Sequence, residues 1–148
     1  MIAIKTTGIG AVSNNDIEEF NREFTDNDDY QTVEIIVTDD EHEILSPNYN
    51  LEFEFGEKKY NTIVEAFNDS ITDDSTIEFL HTIMHSINLN KFEQNELAKN
   101  VLLSTKDSII YYKADNDNYW GSRVPEFDGR NELGKILVEI RDYIKEEQ

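Results

Sequence analysis

The chain has 148 residues, no cysteine, and 13 Lys and Arg against 32 Asp and Glu, for a formal charge of −19. That length suits one domain, and 38% hydrophobic with 11% aromatic content argues against a disordered chain despite the charge. Without cysteine there are no disulfides, thiolate zinc sites or cysteine nucleophile, and no apolar run approaches the roughly 18 residues of a membrane span.

The opening MIAIK reads as a short strand ended by Gly8-Ile9-Gly10. A dinucleotide fingerprint needs a third glycine where Ser13 stands, so a turn is expected there and not a phosphate loop. The opening also lacks the basic flank and long apolar stretch of a signal peptide, which leads to the expectation of a soluble cytoplasmic protein. A helix is expected from Ser13 to about Phe24, with Ser13 as cap, Asp16 in the first turn, and Ile17, Phe20 and Phe24 on one face. After an acidic loop over 25–30, Val33, Ile35, Ile36 and Val37 give residues 31–38 strand character. A turn at 39–42 leads to a second extended segment. There Leu51, Phe53 and Phe55 alternate with Glu52 and Glu54, the two-residue period of a half-buried strand. Gly56-Glu57-Lys58 turns that strand back through Lys59 and Tyr60.

The remainder reads as mostly helical. A short helix is predicted over 63–68. A second starts at Asp74 or Ser75 and carries Ile77, Leu80, Met84 and Ile87. A third covers 91–104, with Phe92, Leu97, Val101 and Leu102 inward. Residues 108–112 read as a strand and 115–128 as a polar loop. Leu133, Ile136, Leu137, Ile140 and Ile144 then mark a final helix. Strands and helices mix without strict alternation, so the expected fold is α+β over a single domain, 1–148: a small N-terminal strand-helix-strand part followed by a mainly helical part.

The charge is unevenly placed, −16 over residues 1–90 and −3 over 91–148. Such a surface argues against direct nucleic-acid binding, which needs Lys and Arg on phosphates. It suits a basic protein partner for the acidic N-terminal part, while an anionic ligand fits the second part better. His81 and His85 lie one helical turn apart, but Thr82 stands where a zinc protease needs Glu, and only distant His42 could be a third ligand. Asp115, Asp117 and Glu126 imitate a calcium loop that fails at its sixth position, where Trp120 replaces the required glycine. No metal is expected.

The segment from Asp117 to Gly134 is the most informative. The single tryptophan, Trp120, lies in a polar loop, where it offers a flat face to a ring. Gly121 and Gly129 let a backbone approach closely. Asn131 can cap the last helix and present an amide to a ligand. The free amides of that helix start, with Arg123 and Arg130 beside them, form an anion site on this reading. The competing explanation is a capped helix whose end the tryptophan plugs.

Lys91-Phe92-x-Gln94-Asn95-x-Leu97, Leu102-Leu103-x-Thr105, Asp117-x-x-Trp120-Gly121, and Gly129-x-Asn131-x-Leu133-Gly134-x-x-Leu137 ending in Ile140-Arg141 resemble the NADAR, or YbiA-like, family. Upstream, Leu45-Ser46 and the hairpin into Tyr60-x-Thr62-Ile63 resemble its first strands and first helix, so residues 45–148 are similar to the family and 1–44 are not. The resemblance implies an α+β N-glycosidase that needs no cofactor. Its substrates would be ADP-ribose-type adducts, riboflavin-pathway intermediates or other N-ribosyl nucleotides. It implies a pocket formed by the 63–68 helix, the start of the 91–104 helix and the loop 117–131. There Trp120 and Gly121 meet a ring, Lys91 and Asn95 with Arg123 and Arg130 hold phosphate or ribose, and Asp117 with Asn131 orients the ribose. The family's first helix carries a catalytic glutamate. Aligned without a gap, Val64 takes its place. With one inserted residue after Tyr60, Glu65 does.

Two further functions compete with the glycosidase. One is a catalytically inactive relative that binds or sequesters an ADP-ribose-derived nucleotide, as a phage-encoded counter-defence protein in a host cytoplasm would. The other is an acidic protein-interaction module.

Overall fold

The computed structural model describes residues 34–148. The expected strand at 1–5, the Gly8-Ile9-Gly10 turn, the helix from Ser13, the acidic loop and the first residues of the 31–38 strand lie outside them. The chain divides into two compact units that interleave in sequence. Among the described residues no helix is long and apolar enough to cross a membrane.

The first unit pairs strand β1 (Ile35–Val37) in parallel with a strand far along the chain, Ile109–Tyr111, in the register Ile35 with Ile109, Ile36 with Ile110 and Val37 with Tyr111. The β-branched runs expected to form strands do so at both positions. Ile36, Ile110 and Tyr111 are buried, and so are Leu133, Ile136 and Leu137 of the final helix. Between them, residues 112–131 form the loop that carries most of the predicted site.

The second unit is Thr38–Ser104 with Glu139–Gln148, the latter carrying the second half of the final helix. Where a plain turn at 39–42 is expected, Asp40–Leu45 is a 3-10 helix whose Asp39 cap accepts from the Asp40 amide. Strands β2 (Phe53–Phe55) and β3 (Lys58–Tyr60) form the predicted hairpin, with Phe53 opposite Tyr60. Gly56 and Glu57 turn it with φ of +58° and +72°, the two positive values that a tight hairpin turn requires.

Helix α1 (Ile63–Ser70), α2 (Ile77–Gln94) and α3 (Glu96–Ser104) come next in the chain. The expected boundary before Lys91 is displaced. The face of α2 formed by Met84, Ile87, Asn88, Lys91 and Phe92 is one continuous buried stripe, so the helix has a packing reason to run past Lys91. It stops at Asn95, whose backbone is extended. That break rotates the phase of α3: Ala98 and Leu102 are buried, whereas Leu97, expected inward, is 67% exposed. Ile77, also expected inward, is 50% exposed. With the strand at Ile109–Tyr111 named β4 and the last helix, Glu132–Glu146, named α4, the predicted stripe Leu133, Ile136, Leu137, Ile140 and Ile144 is buried throughout. The mix of helices and short strands is the α+β class expected from the sequence.

Candidate functional site

In the first unit, six of the predicted site residues fall in one stretch of chain, and the local chemistry explains its shape. Past β4, the chain pairs with residue 122: the Ser122 amide donates to the Tyr112 carbonyl at 3.0 Å and the Ala114 amide to the Ser122 carbonyl at 2.9 Å. Asp117 then turns the backbone. Its Oδ1 accepts from the amides of Tyr119 at 3.0 Å and Trp120 at 2.9 Å, the Asx geometry that short carboxylates favour.

That turn serves the helix beyond it. The amides of Arg130, Asn131, Glu132 and Leu133 donate to the carbonyls of Asn118, Gly121, Tyr119 and Trp120 at 2.8–3.2 Å. Glu132 and Leu133 are among the first-turn amides of α4 that have no partner within the helix. Of the amides expected to form an anion site there, those of Arg130, Asn131, Glu132 and Leu133 are engaged by the 118–121 turn. The Trp120 backbone caps this helix, and its half-buried ring stands edge-on to Tyr119 at 5.0 Å.

Asn131 has a related role. It adopts φ of +55°, which asparagine tolerates better than most residues. Its side chain is fully buried and does not cover the first turn of α4. Nδ2 donates to the Ile110 carbonyl at 2.8 Å, and Oδ1 accepts from the Tyr112 amide at 2.9 Å. The side-chain cap expected from the sequence is thus replaced by a clamp on the end of β4. The glycines serve the same close packing. A Cβ on Gly134 would collide with the Ile110 carbonyl and the Asn131 amide, one on Gly129 with the Gly121 carbonyl, and one on Gly121 with the Tyr112 carbonyl.

The cations here are paired. Arg123 holds Asp128 through Nε at 3.0 Å and through its terminal nitrogen, and the bond to Asp128 raises its already high pKa. Arg130 lies over the Tyr119 ring at 5.1 Å and meets Glu132 at 3.1 Å. Burial works against ionisation of the Glu132 carboxyl, but hydrogen bonds and charge from Lys135 and Arg130 outweigh it, so its pKa falls below the usual value.

Beside these groups lies a cavity of about 380 Å³ lined by Ala114, Asp115, Asn116, Asp117, Asn118, Arg123 and Asp128. Its walls offer carboxylate and amide acceptors with one ion-paired guanidinium, a lining that suits hydroxyl and amine donors better than phosphate.

In the second unit, Glu65 lies in the first turn of α1. Thr62 Oγ1 accepts from the Glu65 amide at 3.1 Å, and Glu65 Oε2 accepts from the Asn61 amide at 3.1 Å. The Thr62-x-x-Glu65 spacing is that of a capping box, with the Glu65 carboxylate reaching the amide one residue before the Thr62 cap. Lys91 is 1% exposed, in the last turn of α2. Its Nζ donates to the Ser46 carbonyl at 3.1 Å and lies 5.2 Å from the Phe92 ring centre. Burial pulls its pKa down to about 7.

Asn88, one turn earlier, is fully buried and donates to the Met84 carbonyl, while its Oδ1 has no hydrogen-bond partner. Asn95 ties the helix break together, donating to the Lys91 carbonyl at 2.8 Å and the Glu52 carbonyl at 3.4 Å. Gln94, part of the family pattern but given no role in the predicted site, grips both sides of the Glu54 backbone at 2.6 and 2.7 Å.

The NADAR domain family model matches residues 58–145, more than half of the chain. A riboflavin biosynthesis protein of Vibrio vulnificus (strain YJ016) is 36% identical over 64 residues, 43% of this chain and 17% of that protein. The chain thus spans under a fifth of that relative's length. The NMR structure of the E. coli protein YbiA superposes with a TM-score of 0.66 at 19% identity, covering 79% of this chain and 88% of YbiA, which extends the likeness to the fold. The residue patterns around Lys91, Trp120 and Asn131 and the match over 58–145 agree, and the chain belongs to the NADAR family.

Proposed function

We propose that the protein is an N-glycosidase that hydrolyses an N-ribosidic bond in an ADP-ribose-type or other N-ribosyl nucleotide, with the sugar received in the cavity of the β4–α4 loop. The observation that carries this reading is a polar cavity walled by Asp115, Asp117 and Asp128, in a chain that belongs to the NADAR family. Cleavage of an N-ribosidic bond builds positive charge at the anomeric carbon, which carboxylates stabilise while one of them directs water. Asp117 uses Oδ1 on its own turn, leaving Oδ2 to accept from a ribose hydroxyl. Trp120 stacks the base, and the family resemblance, with one residue inserted after Tyr60, implies Glu65 as the carboxylate on which turnover depends.

A second reading is favoured by a specific observation: the Glu65 carboxylate already accepts from the Asn61 amide, and Val64 stands in the ungapped catalytic register. A protein whose carboxylate serves only as a helix cap would bind such a nucleotide without cleaving it.

One ligand-observed proton NMR time course separates the two, with ADP-ribose, NAD, a cyclic ADP-ribose and an N-ribosylated base as the panel. Anomeric signals that move with time support the glycosidase. Line broadening without movement supports the binder. No response to any compound overturns both and leaves the acidic surface as the functional feature. Glu65→Gln should lower turnover by about a hundredfold or more while sparing binding. Trp120→Ala should weaken binding about tenfold.

A further inference from the structure

Lys91 occupies the apolar stripe of α2, where methionine would fill a similar volume without desolvating a charge. Its described partners are one carbonyl and one ring, and no carboxylate is among them. A buried ammonium so sparsely satisfied does little for stability, so the group it holds is informative.

The Ser46 carbonyl that it grips also accepts from the Tyr49 amide at 3.2 Å, closing a turn whose Ser46 hydroxyl accepts from the Asn48 amide at 3.3 Å. The next carbonyl along, that of Pro47, accepts from the Val64 amide at 3.2 Å. Val64 lies in the first turn of α1, beside Glu65. On the far side of that turn the Asn61 amide donates to Glu65, while the Asn61 carbonyl accepts from the Leu51 amide at 2.8 Å. The segment 46–51 therefore meets the start of α1 at two points, through Pro47 to Val64 and through Leu51 to Asn61, and the lysine fixes its first residue from inside the core.

We infer that Lys91 is a positioning residue for Glu65, acting through the Ser46–Pro47 backbone that holds the first turn of α1. This rests on the reading of Glu65 as the carboxylate on which turnover depends. It assigns Lys91 a structural reach to the carboxylate and not a contact with phosphate. The lysine is well suited to this, because a side chain with one strong donor anchored in packed core gives a loop carbonyl a fixed point that solvent does not compete for.

The test is amide hydrogen exchange and amide chemical shift by NMR on the full chain, in wild type, Lys91→Met and Lys91→Arg. Lys91→Met should lower protection of the Val64 amide about tenfold relative to core amides of α2 such as Ile87, in a protein that remains folded. In wild type the Asn61 amide should shift as the Glu65 carboxyl is titrated, a response absent in Glu65→Gln. Lys91→Met should reduce that excursion about twofold or more, since the carboxylate no longer keeps a fixed distance from its donor. Lys91→Arg retains a donor and should keep Val64 protection within about threefold. A merely space-filling lysine would change exchange evenly through α2 and leave the Asn61 response intact. Should the methionine variant fail to fold, Lys91→Gln, whose head is too short for Ser46, replaces it in both measurements.

Unchanged Val64 protection and an unchanged Asn61 excursion in these variants overturn the linkage, whatever happens to turnover. Turnover that survives Glu65→Gln overturns the carboxylate reading while leaving the linkage standing.

Discussion

The two units treat their polar groups in opposite ways. In the β4–α4 loop almost every group that looks directed at a ligand is matched within the protein: four amides meet four carbonyls, both ends of the Asn131 amide meet the β4 backbone, and the arginines meet carboxylates. In the buried stripe of α2, by contrast, Asn88 keeps an acceptor without a partner, and Lys91 keeps a charge with one carbonyl. A satisfied network gives a rigid frame, and among the described residues of the first unit that frame borders the cavity lined by Asp115, Asp117 and Asp128. An unsatisfied one lowers stability and persists only where something else is gained. The first unit is therefore expected to be intolerant of substitution at its polar residues, and the second to be stabilised by removing one of its own.

The largest effect should come from the proton on Lys91. Folded, it releases the proton at about 7, whereas in the unfolded chain the value returns to its ordinary 10.5. Between those values the unfolded state binds more protons, so this residue makes stability rise with pH, by at most about 1.4 kcal/mol per pH unit, and below about 7 its penalty is constant. Urea unfolding at steps from pH 6.5 to 9.5, compared between wild type and Lys91→Met, isolates the term from all other titrations. The difference should favour the methionine variant by several kcal/mol at the acid end and shrink towards pH 9.5. A difference that does not change with pH would mean that the lysine keeps its proton in the core, and the contrast between the units would fail at its main point.

Next in size are the clamps of the first unit. Asn131→Leu removes the donor to Ile110 and the acceptor for Tyr112, leaving two backbone groups unpaired, and should cost about 2–4 kcal/mol. Gly134→Ala drives a methyl into the Ile110 carbonyl and should cost about 3 kcal/mol. Both are read from urea midpoints at one pH. If either variant lost ligand binding while keeping wild-type stability, Asn131 would belong to the ligand and not to β4.

These residues also show what the sequence discloses. Asn131, Gly129 and Gly134 stand out because asparagine and glycine in such a pattern signal special backbone geometry, but not which groups come close. Ile110 and Tyr112, the neighbours in space of Gly134 and Asn131, lie about twenty residues away in the chain. The alternation at Phe53 and Phe55 and the stripe from Leu133 to Ile144 are legible because periodicity is local. The break at Asn95 is not, since its amide is fixed by Glu52, 43 residues upstream, and missing it turns Leu97 inward by mistake. Burial of Lys91 is the least legible of all. A lysine beside Phe92 reads as a solvated helix residue, and only the packing of the stripe places it inside. The Thr62-x-x-Glu65 spacing, in contrast, is a plain sequence signal for the role Glu65 plays at the start of α1.

That cap supplies the smallest effect and the finest discrimination. Thr62→Ala removes the acceptor for the Glu65 amide and should cost about 1 kcal/mol, read as a lower urea midpoint with an unchanged slope. Glu65→Gln keeps an oxygen that can still accept from Asn61, so its stability should stay closer to wild type than that of Thr62→Ala. A carboxylate that serves only the helix leaves turnover of any cleaved ribosyl probe tracking stability across the two variants, with Thr62→Ala the worse. A carboxylate that takes part in cleavage reverses the order: Glu65→Gln, the more stable protein, becomes the less active one. Measuring midpoint and turnover on the same two preparations therefore distinguishes the cap from the catalyst, whatever the physiological substrate is.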